Sequence, residues 1–331
     1  MCGLAGVIIK DKNRSAGRMA DIQNLVSELL VAAEVRGNHA SGMAIVDRTG
    51  EYLIHKRPMS ATVMTKTDDY NAALDLVDEN SGAVIGHTRF ATQGSPKVNK
   101  NNHPIRAGNV IGAHNGWVSN DDELFEKYNL KRFAEVDSEV LFRMIDSADT
   151  PETFFKDMLK NVSGKVSMVW SDVEKPEYVY VFKGNNPLEM VHIKSLGILV
   201  YASTNKILYN AIKWAGMNRM KREKVELKDW TVMRINTGDF QYKKTGGIKI
   251  AAPVVRKYSA YDAYSGKYNG YSWGGNTTYT KPKNKPKTAK NGCDTVQGFV
   301  PRYSYKDKMV KTADGSQVRI FDFNNKKKGG K

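Results

Sequence analysis

Along the first 250 residues, short apolar runs and helical periodicities come in blocks. Residues 3–9 form an apolar, partly β-branched run that predicts a buried strand. From Ala20 to Val35, the apolar positions Ile22, Leu25, Val26, Leu29, Leu30 and Ala33 recur at helical spacing and predict an amphipathic helix. Strands follow at 42–47 and 52–57 across an Arg48-Thr49-Gly50 turn, then a helix over 69–79 and strands at 83–88 and 109–114. Ser119 with Asp122 three residues on suggests a capped helix over 123–128. Helices at 137–147 and 151–160 come next, and strands at 165–171, 177–183, 189–194 and 197–202 after them. A helix at 205–215 and strands at 230–235 and 239–243 complete the pattern. Blocks of strands and helices, rather than strict alternation, favour an α+β fold of antiparallel sheets over a doubly wound parallel one.

Beyond residue 252 the pattern stops. Tyr258, Tyr261, Tyr264, Tyr268, Tyr271, Trp273 and Tyr279 are scattered among Ser, Gly and Asn, and the run Lys281 to Lys287 alternates lysine with proline and asparagine. With so few aliphatic side chains the stretch cannot offset its ordering entropy, and residues 251–294 read as a flexible linker. Residues 295–331 regain some apolar content. There, Met309-Val310 and Val318 to Phe321 around Ala313-Asp314-Gly315 read as a short hairpin. Charge follows the same boundary: residues 251–331 carry 17 Lys/Arg and 5 Asp/Glu, and residues 1–250 carry 34 and 30, so the net +16 divides into +12 and +4. This imbalance bears on partners rather than on fold.

Composition narrows the class further. Two cysteines in 331 residues make no disulfide framework, so Cys2 and Cys293 read as reduced thiols. No basic N-terminal region leads into an apolar one, and no apolar run reaches the ~18 residues of a membrane span. The expectation is a cytoplasmic protein with no membrane association.

Chemistry enters at Cys2. If Met1 is removed, this cysteine carries a thiol and a free α-amine, and such an amine titrates near pH ~8. One residue then supplies both nucleophile and base. Read alone, a cysteine entering an apolar strand is a small buried hydrophobe. The rest of the chain changes that balance.

Four segments stand behind Cys2 in order: Arg36-Gly37-Asn38-His39-Ala40-Ser41-Gly42, His87-Thr88-Arg89-Phe90-Ala91-Thr92-Gln93-Gly94, His114-Asn115-Gly116 and Asp137-Ser138-Glu139. Together with Met1-Cys2-Gly3, this order resembles the glutaminase domain of class II (N-terminal nucleophile) glutamine amidotransferases. The likeness is nearest to the glucosamine-6-phosphate synthase and amidophosphoribosyltransferase branches and runs from residue 2 to about residue 215. It implies a four-layer αββα sandwich of two antiparallel sheets over residues 2–250, the Ntn-hydrolase type, followed by a basic, partly disordered C-terminal extension. It also implies roles for individual residues. Cys2 would attack the side-chain amide of L-glutamine, and the Asn115 side chain with the Gly116 N–H would hold the oxyanion. Arg89 would grip the α-carboxylate, a planar bidentate match, and Asp137 would pair with the α-ammonium. Thr92 and the backbone at Gln93 would add substrate contacts. Arg36 would lie near the nucleophile, and His103 beside the site would position a loop. No metal and no cofactor are called for.

The chain departs from the family pattern at His39, where an aspartate is expected, at Phe90 in place of Trp or Tyr, and at Gln93 in place of the synthase branch's histidine. The residues after the glutaminase region are too few and too polar for the domain that consumes ammonia in relatives. The expectation is therefore that a separate ammonia-accepting synthase receives it, or that hydrolysis is itself the output. Two other classes stay open. One is a non-catalytic binding or structural protein whose basic aromatic tail holds nucleic acid or another protein. The other is an N-terminal-nucleophile hydrolase of different amides, against which the Arg89/Asp137 pair speaks for a free amino acid.

Overall fold

The computed structural model describes residues 2–150, 153–155, 161–243, 308–311 and 317–320. The chain divides into two compact units, residues 1–255 and 256–331. Described residues of the second are two strands, Lys308–Lys311 and Gln317–Ile320, paired antiparallel with Val310 opposite Val318. The turn expected at Ala313-Asp314-Gly315, the linker over 251–294 and Cys293 lie outside the described residues.

The first unit is built on two antiparallel sheets. Seven strands form the first: β1 (Gly3–Ile9), β2 (Ala40–Asp47), β3 (Tyr52–Arg57), β4 (Ser81–Arg89), β9 (Glu189–Ile193), β10 (Ile198–Ala202) and β11 (Glu223–Val225), in the order β11-β9-β10-β1-β4-β2-β3. The second sheet runs β13-β12-β8-β7-β6-β5, from β5 (Ile105–Ala107), β6 (Val110–Val118), β7 (Gly164–Asp172), β8 (Tyr178–Lys183), β12 (Thr231–Asn236) and β13 (Tyr242–Lys243). Helices α1 (Ala16–Ala33) and α6 (Asn205–Trp214) pack together outside the first sheet. Helices α4 (Asp121–Lys127) and α5 (Glu139–Asp146) cover the second. The short α2 (Ala61–Met64) and α3 (Asp68–Leu74) lie beside β2 and β3.

Side-chain alternation explains the layering. Leu4 and Ile8 of β1, Ala44 and Val46 of β2, Ala83 and Ile85 of β4, Ile111 and Ala113 of β6, and Leu199 and Tyr201 of β10 share one buried cluster between the sheets. The alternate residues of β6 face outward, where Gly112 is required. A Cβ there would stand 2.3 Å from the Phe142 ring of α5. The outer layer over the second sheet is aromatic, with Trp170 stacked on Tyr180 at 5.1 Å and Phe155 against Trp170 and Phe182. This is the expected αββα sandwich.

Several boundaries differ from expectation. Helix α1 begins at Ala16, before Ala20, because the Ser15 hydroxyl caps it by accepting the Arg18 N–H at 3.4 Å. The helix expected over 69–79 is α3, which is capped by Thr67 and ends at Leu74, and the short α2 before it was not expected. Strand β6 does not end at residue 114 but carries Asn115-Gly116 on to Val118, so that pair is not a hairpin turn. Ser119 does not cap α4; its hydroxyl donates to the Ser163 carbonyl, and the helix starts at Asp121. Of the helix expected over 151–160, residues 153–155 are helical and the rest lies outside the described residues. Strand β5, a three-residue arm turned back through Gly108 at φ 59°, is too short for its alternation to announce it, and the polar edge strand β11 has none.

Candidate active site

The same alternation that fills the inter-sheet layer builds a polar mouth at one end of it. Continuing Leu4–Ile8 backwards leads to Cys2; continuing Ala83–Ile85 gives His87 and Arg89. Ala113 gives Asn115, and Leu199–Tyr201 gives Ser203. Apolar residues therefore fill the middle of the layer, and its rim carries a thiol, a guanidinium, an amide and a hydroxyl.

Cys2 is half-buried, its Sγ 3.6 Å from the Phe90 carbonyl oxygen. The Arg36 Nε donates to the Cys2 carbonyl at 2.7 Å and pins the backbone at Cys2. Burial pushes the thiol's pKa up, the Phe90 contact and the Arg89 charge pull it back, and the Asp137 charge adds to the rise. These couplings bring Cys2, Arg89 and Asp137 within reach of one another's charge.

Arg89 is 3 % exposed. Its guanidinium donates to Asn102 Oδ1 at 2.8 Å and to the carbonyls of Gln93 and Gly94, the latter at 2.9 Å, so it also ties down the loop that follows β4. The Gln93 backbone thus sits at the site, but the Gln93 side chain reaches away to donate to Asp121 Oδ2 at 3.0 Å. Thr92 is exposed on the same loop. Asp137 is buried just before α5, where its Oδ2 accepts the Val118 N–H at 2.6 Å. Burial pushes its carboxyl up to about 6 against the pull of the Val118 and Ser138 hydrogen bonds, the nearby Asp121 charge adding to the rise.

Asn115 is fully buried; its carbonyl accepts the Asn186 side-chain amide at 2.7 Å, and its own amide nitrogen lies 3.4 Å from Ser203 Oγ. Gly116 has φ 147°, and a Cβ there would fall 1.7 Å from the Lys165 carbonyl oxygen. Only glycine fits that backbone.

Beneath the site lie three buried histidines. His87 packs on His103 with ring centroids 4.3 Å apart, and His87 Nε2 sits 3.2 Å from the His114 carbonyl. His114 spans Ser138 Oγ at 2.8 Å and the Lys165 carbonyl at 3.0 Å, linking β6, β7 and the start of α5. Burial first, and neighbouring positive charge for His87 and His103, hold them far below the usual imidazole range: His87 at about 3, His114 at about 4, His103 lower in direction as well. At neutral pH they are uncharged spacers, not proton carriers. His103 precedes Pro104 through a cis bond, and the loop is gripped by Lys56, whose Nζ donates to the Asn102 and Pro104 carbonyls at 2.7 and 3.0 Å.

Sequence reasoning missed Lys56, Asn102, Asn186, Ser138 and Ser203, all of which hold the candidate residues rather than face a substrate. Lys56 and Ser203 are polar residues at strand ends, Asn102 and Asn186 lie in loops, and Ser138 adjoins Asp137 in a motif already singled out, so what little signal they carry is adjacency to elements of the site. His39, the departure from the family pattern, stacks on Phe90 at 4.8 Å, and its Nδ1 accepts the Ala91 N–H at 3.0 Å. It therefore serves the loop that carries the thiol's contact.

No protein-family model matches the chain. It is 27% identical over 280 residues to the isomerizing glutamine–fructose-6-phosphate aminotransferase of Bacillus licheniformis, covering 82% of this chain and 42% of that protein. It is 26% identical over 208 residues to 7-cyano-7-deazaguanine synthase 2 of Sulfurisphaera tokodaii, covering 61% and 43%. The glutamine phosphoribosylpyrophosphate amidotransferase of B. subtilis shares the fold, with a TM-score of 0.53 at 21% identity, over 71% of this chain and 47% of that one. The sandwich is thus of the Ntn-hydrolase type, and the chain is homologous to class II glutamine amidotransferases, which are enzymes. It spans about two fifths of the length of the curated relatives it matches. No described helix is long and apolar enough to cross a membrane. Nucleic-acid binding draws no support from the comparisons, and the tail that suggested it lies outside the described residues apart from the strands at 308–311 and 317–320.

Proposed function

We propose that this chain is a glutaminase-type amidotransferase that hydrolyses L-glutamine to glutamate and ammonia through Cys2, exposed as the N-terminal residue once Met1 is removed. The α-amine takes the thiol proton, directly or through water, and sulfur attacks the side-chain amide carbon. The carbonyl oxygen becomes an oxyanion, held by the Asn115 amide and the Gly116 N–H. The amine returns the proton to the leaving nitrogen, the C–N bond breaks and ammonia departs. A γ-glutamyl thioester remains, which water, deprotonated by the same amine, cleaves to glutamate and free thiol. Arg89 and Asp137 hold the α-carboxylate and α-ammonium.

One observation carries this reading: a half-buried thiol before β1, a buried guanidinium at the end of β4 and a buried carboxylate bonded to Val118 of β6 lie within reach of one another's charge. A free amino acid is the ligand that matches one positive and one negative anchor beside a nucleophile. The acceptor of ammonia is a separate synthase or a part beyond the matched region. This is supported by relatives that extend to more than twice the matched length and whose names are those of a synthase and an aminotransferase.

The test is release of ammonia and glutamate from glutamine by the Met1-processed protein. Cys2→Ala should reduce it to background, and a diazoketone analogue of glutamine should label the N-terminal peptide and not the peptide holding Cys293. Turnover that survives Cys2→Ala removes Cys2 from the mechanism.

A further inference from the structure

Ser203 follows β10 and meets the start of β1, extending the ladder by side chain as well as backbone. Its N–H donates to the Leu4 carbonyl at 2.9 Å, and its Oγ accepts the Leu4 N–H at 2.8 Å. That leaves the hydroxyl proton to be placed. The Leu4 carbonyl, at 3.4 Å, already holds the Ser203 N–H; the other neighbour is the Asn115 side-chain amide, also at 3.4 Å.

As the atoms stand, the Asn115 nitrogen faces Ser203 and the Asn115 Oδ1 is buried without a partner. A buried acceptor left unpaired costs about 1–3 kcal/mol. A half-turn about the Cβ–Cγ bond exchanges oxygen and nitrogen with little change of shape. The oxygen then receives the hydroxyl proton of Ser203. The amide nitrogen takes the place where Oδ1 was buried without a partner, and its N–H groups are left for another acceptor. The Leu4 N–H, donated to the same hydroxyl, polarises it and strengthens what it donates onward. The Asn186 amide already fixes the Asn115 backbone.

Building on the glutaminase reading, we propose that Ser203 is a positioning residue. Its hydroxyl accepts from Leu4 and donates to Asn115 Oδ1, locking the amide with its N–H groups toward the oxyanion. The strand that carries the nucleophile thereby also sets, through one hydroxyl, the orientation of the group that stabilises the charge the nucleophile creates. Without that hydroxyl nothing selects between the amide's two orientations, and in one of them it presents an oxygen to the oxyanion.

The charge exists only after attack, so the effect falls on kcat. Losing an oxyanion donor outright costs ~10²–10³ in rate. Ser203→Ala, which misorients rather than removes it, is expected to lower kcat ~10–100-fold, with the KM for glutamine within about threefold of wild type. In an Asn115→Ala background the same Ser203→Ala change should cost almost nothing further, because the group it orients is gone. Asn115→Asp, an isostere that accepts from Ser203 but donates nothing, should show the full loss of Asn115→Ala. Melting temperatures are read alongside, since Ser203→Ala also strands the Leu4 N–H. If that variant does not fold, Ser203→Thr keeps a hydroxyl there and should keep kcat within about threefold.

Losses that multiply independently in the double variant overturn the proposal, as does a Ser203→Ala defect confined to KM or a Ser203→Thr variant that folds but loses kcat as a donor deletion does. Failure of the underlying reading looks different: the wild-type chain then releases no Cys2-dependent ammonia at all.

Discussion

In its proposed role, Asp137 ties stability, pH and substrate binding together in one buried residue. Its carboxyl titrates at about 6 in the fold, above the ordinary ~4 of an unfolded aspartate. Between those values the native state holds a proton that the unfolded chain has lost. Its contribution to stability is therefore full below pH ~4 and is lost as pH rises through about 6. Binding runs the other way, because only the carboxylate pairs with an α-ammonium. We expect kcat/KM for glutamine to fall as pH drops through about 6, a limb that reports the free enzyme. In Asp137→Asn that limb should vanish and the KM rise by ~30-fold or more, the cost of stranding one member of a buried charge pair. Steady-state kinetics from pH 5 to 8 decide it, and an unaltered limb in the variant would place the titration elsewhere. Gly116 makes a second prediction at this scale. A methyl group there would overlap the Lys165 carbonyl at a φ that side chains avoid, so Gly116→Ala should shift β6 against β7 and abolish turnover. A melting temperature within a degree of wild type, with turnover retained, would show that the backbone yields.

Elements matter here for the ends they deliver. None of the candidate residues lies on helix α5, yet the turn that starts it carries Asp137 and Ser138, and Phe142 seats it against Gly112 of β6. Phe142→Ala should cost ~3–5 kcal/mol of stability, as large-to-small core changes do, and raise the KM for glutamine more than it lowers kcat. Denaturant titration and kinetics on the same sample test both, and a KM that does not move would uncouple α5 from the ammonium site. The strands that bear the site were legible because their inward residues form apolar runs: β1, β4 and β6 stand out in the sequence, and the Asn-Gly pair adjoins the last. That β6 runs through Asn115-Gly116 was not legible. A dipeptide that favours turns is held in a strand by nine paired residues on β7, a long-range interaction that no local pattern contains. The same holds for the supporting groups. Lys56, Asn102 and Ser203 are ordinary polar residues in sequence, and they acquire roles only when the fold brings strands β3 and β10 to the rim.

At the scale of the whole molecule, charge and chemistry separate. Every candidate residue, from Cys2 to Asp137, and every group that supports one, as far as Ser203, lies in the unit spanning residues 1–255. The net charge of +12 belongs to residues 251–331, which contribute none of these groups. If catalysis needs only the sandwich, removing residues 256–331 should leave the kcat/KM for glutamine within about twofold of the full chain, the ~0.5 kcal/mol expected of changes away from a site. The comparison is made with both proteins processed at Met1 and at matched ionic strength, because the full chain's excess charge is screened by salt and the fragment has little of it to screen. Equal rates would place the basic region outside the hydrolysis of glutamine itself. A loss of tenfold or more, with the fragment still folded and still labelled at Cys2 by the diazoketone, would show that the sandwich alone does not account for glutamine turnover.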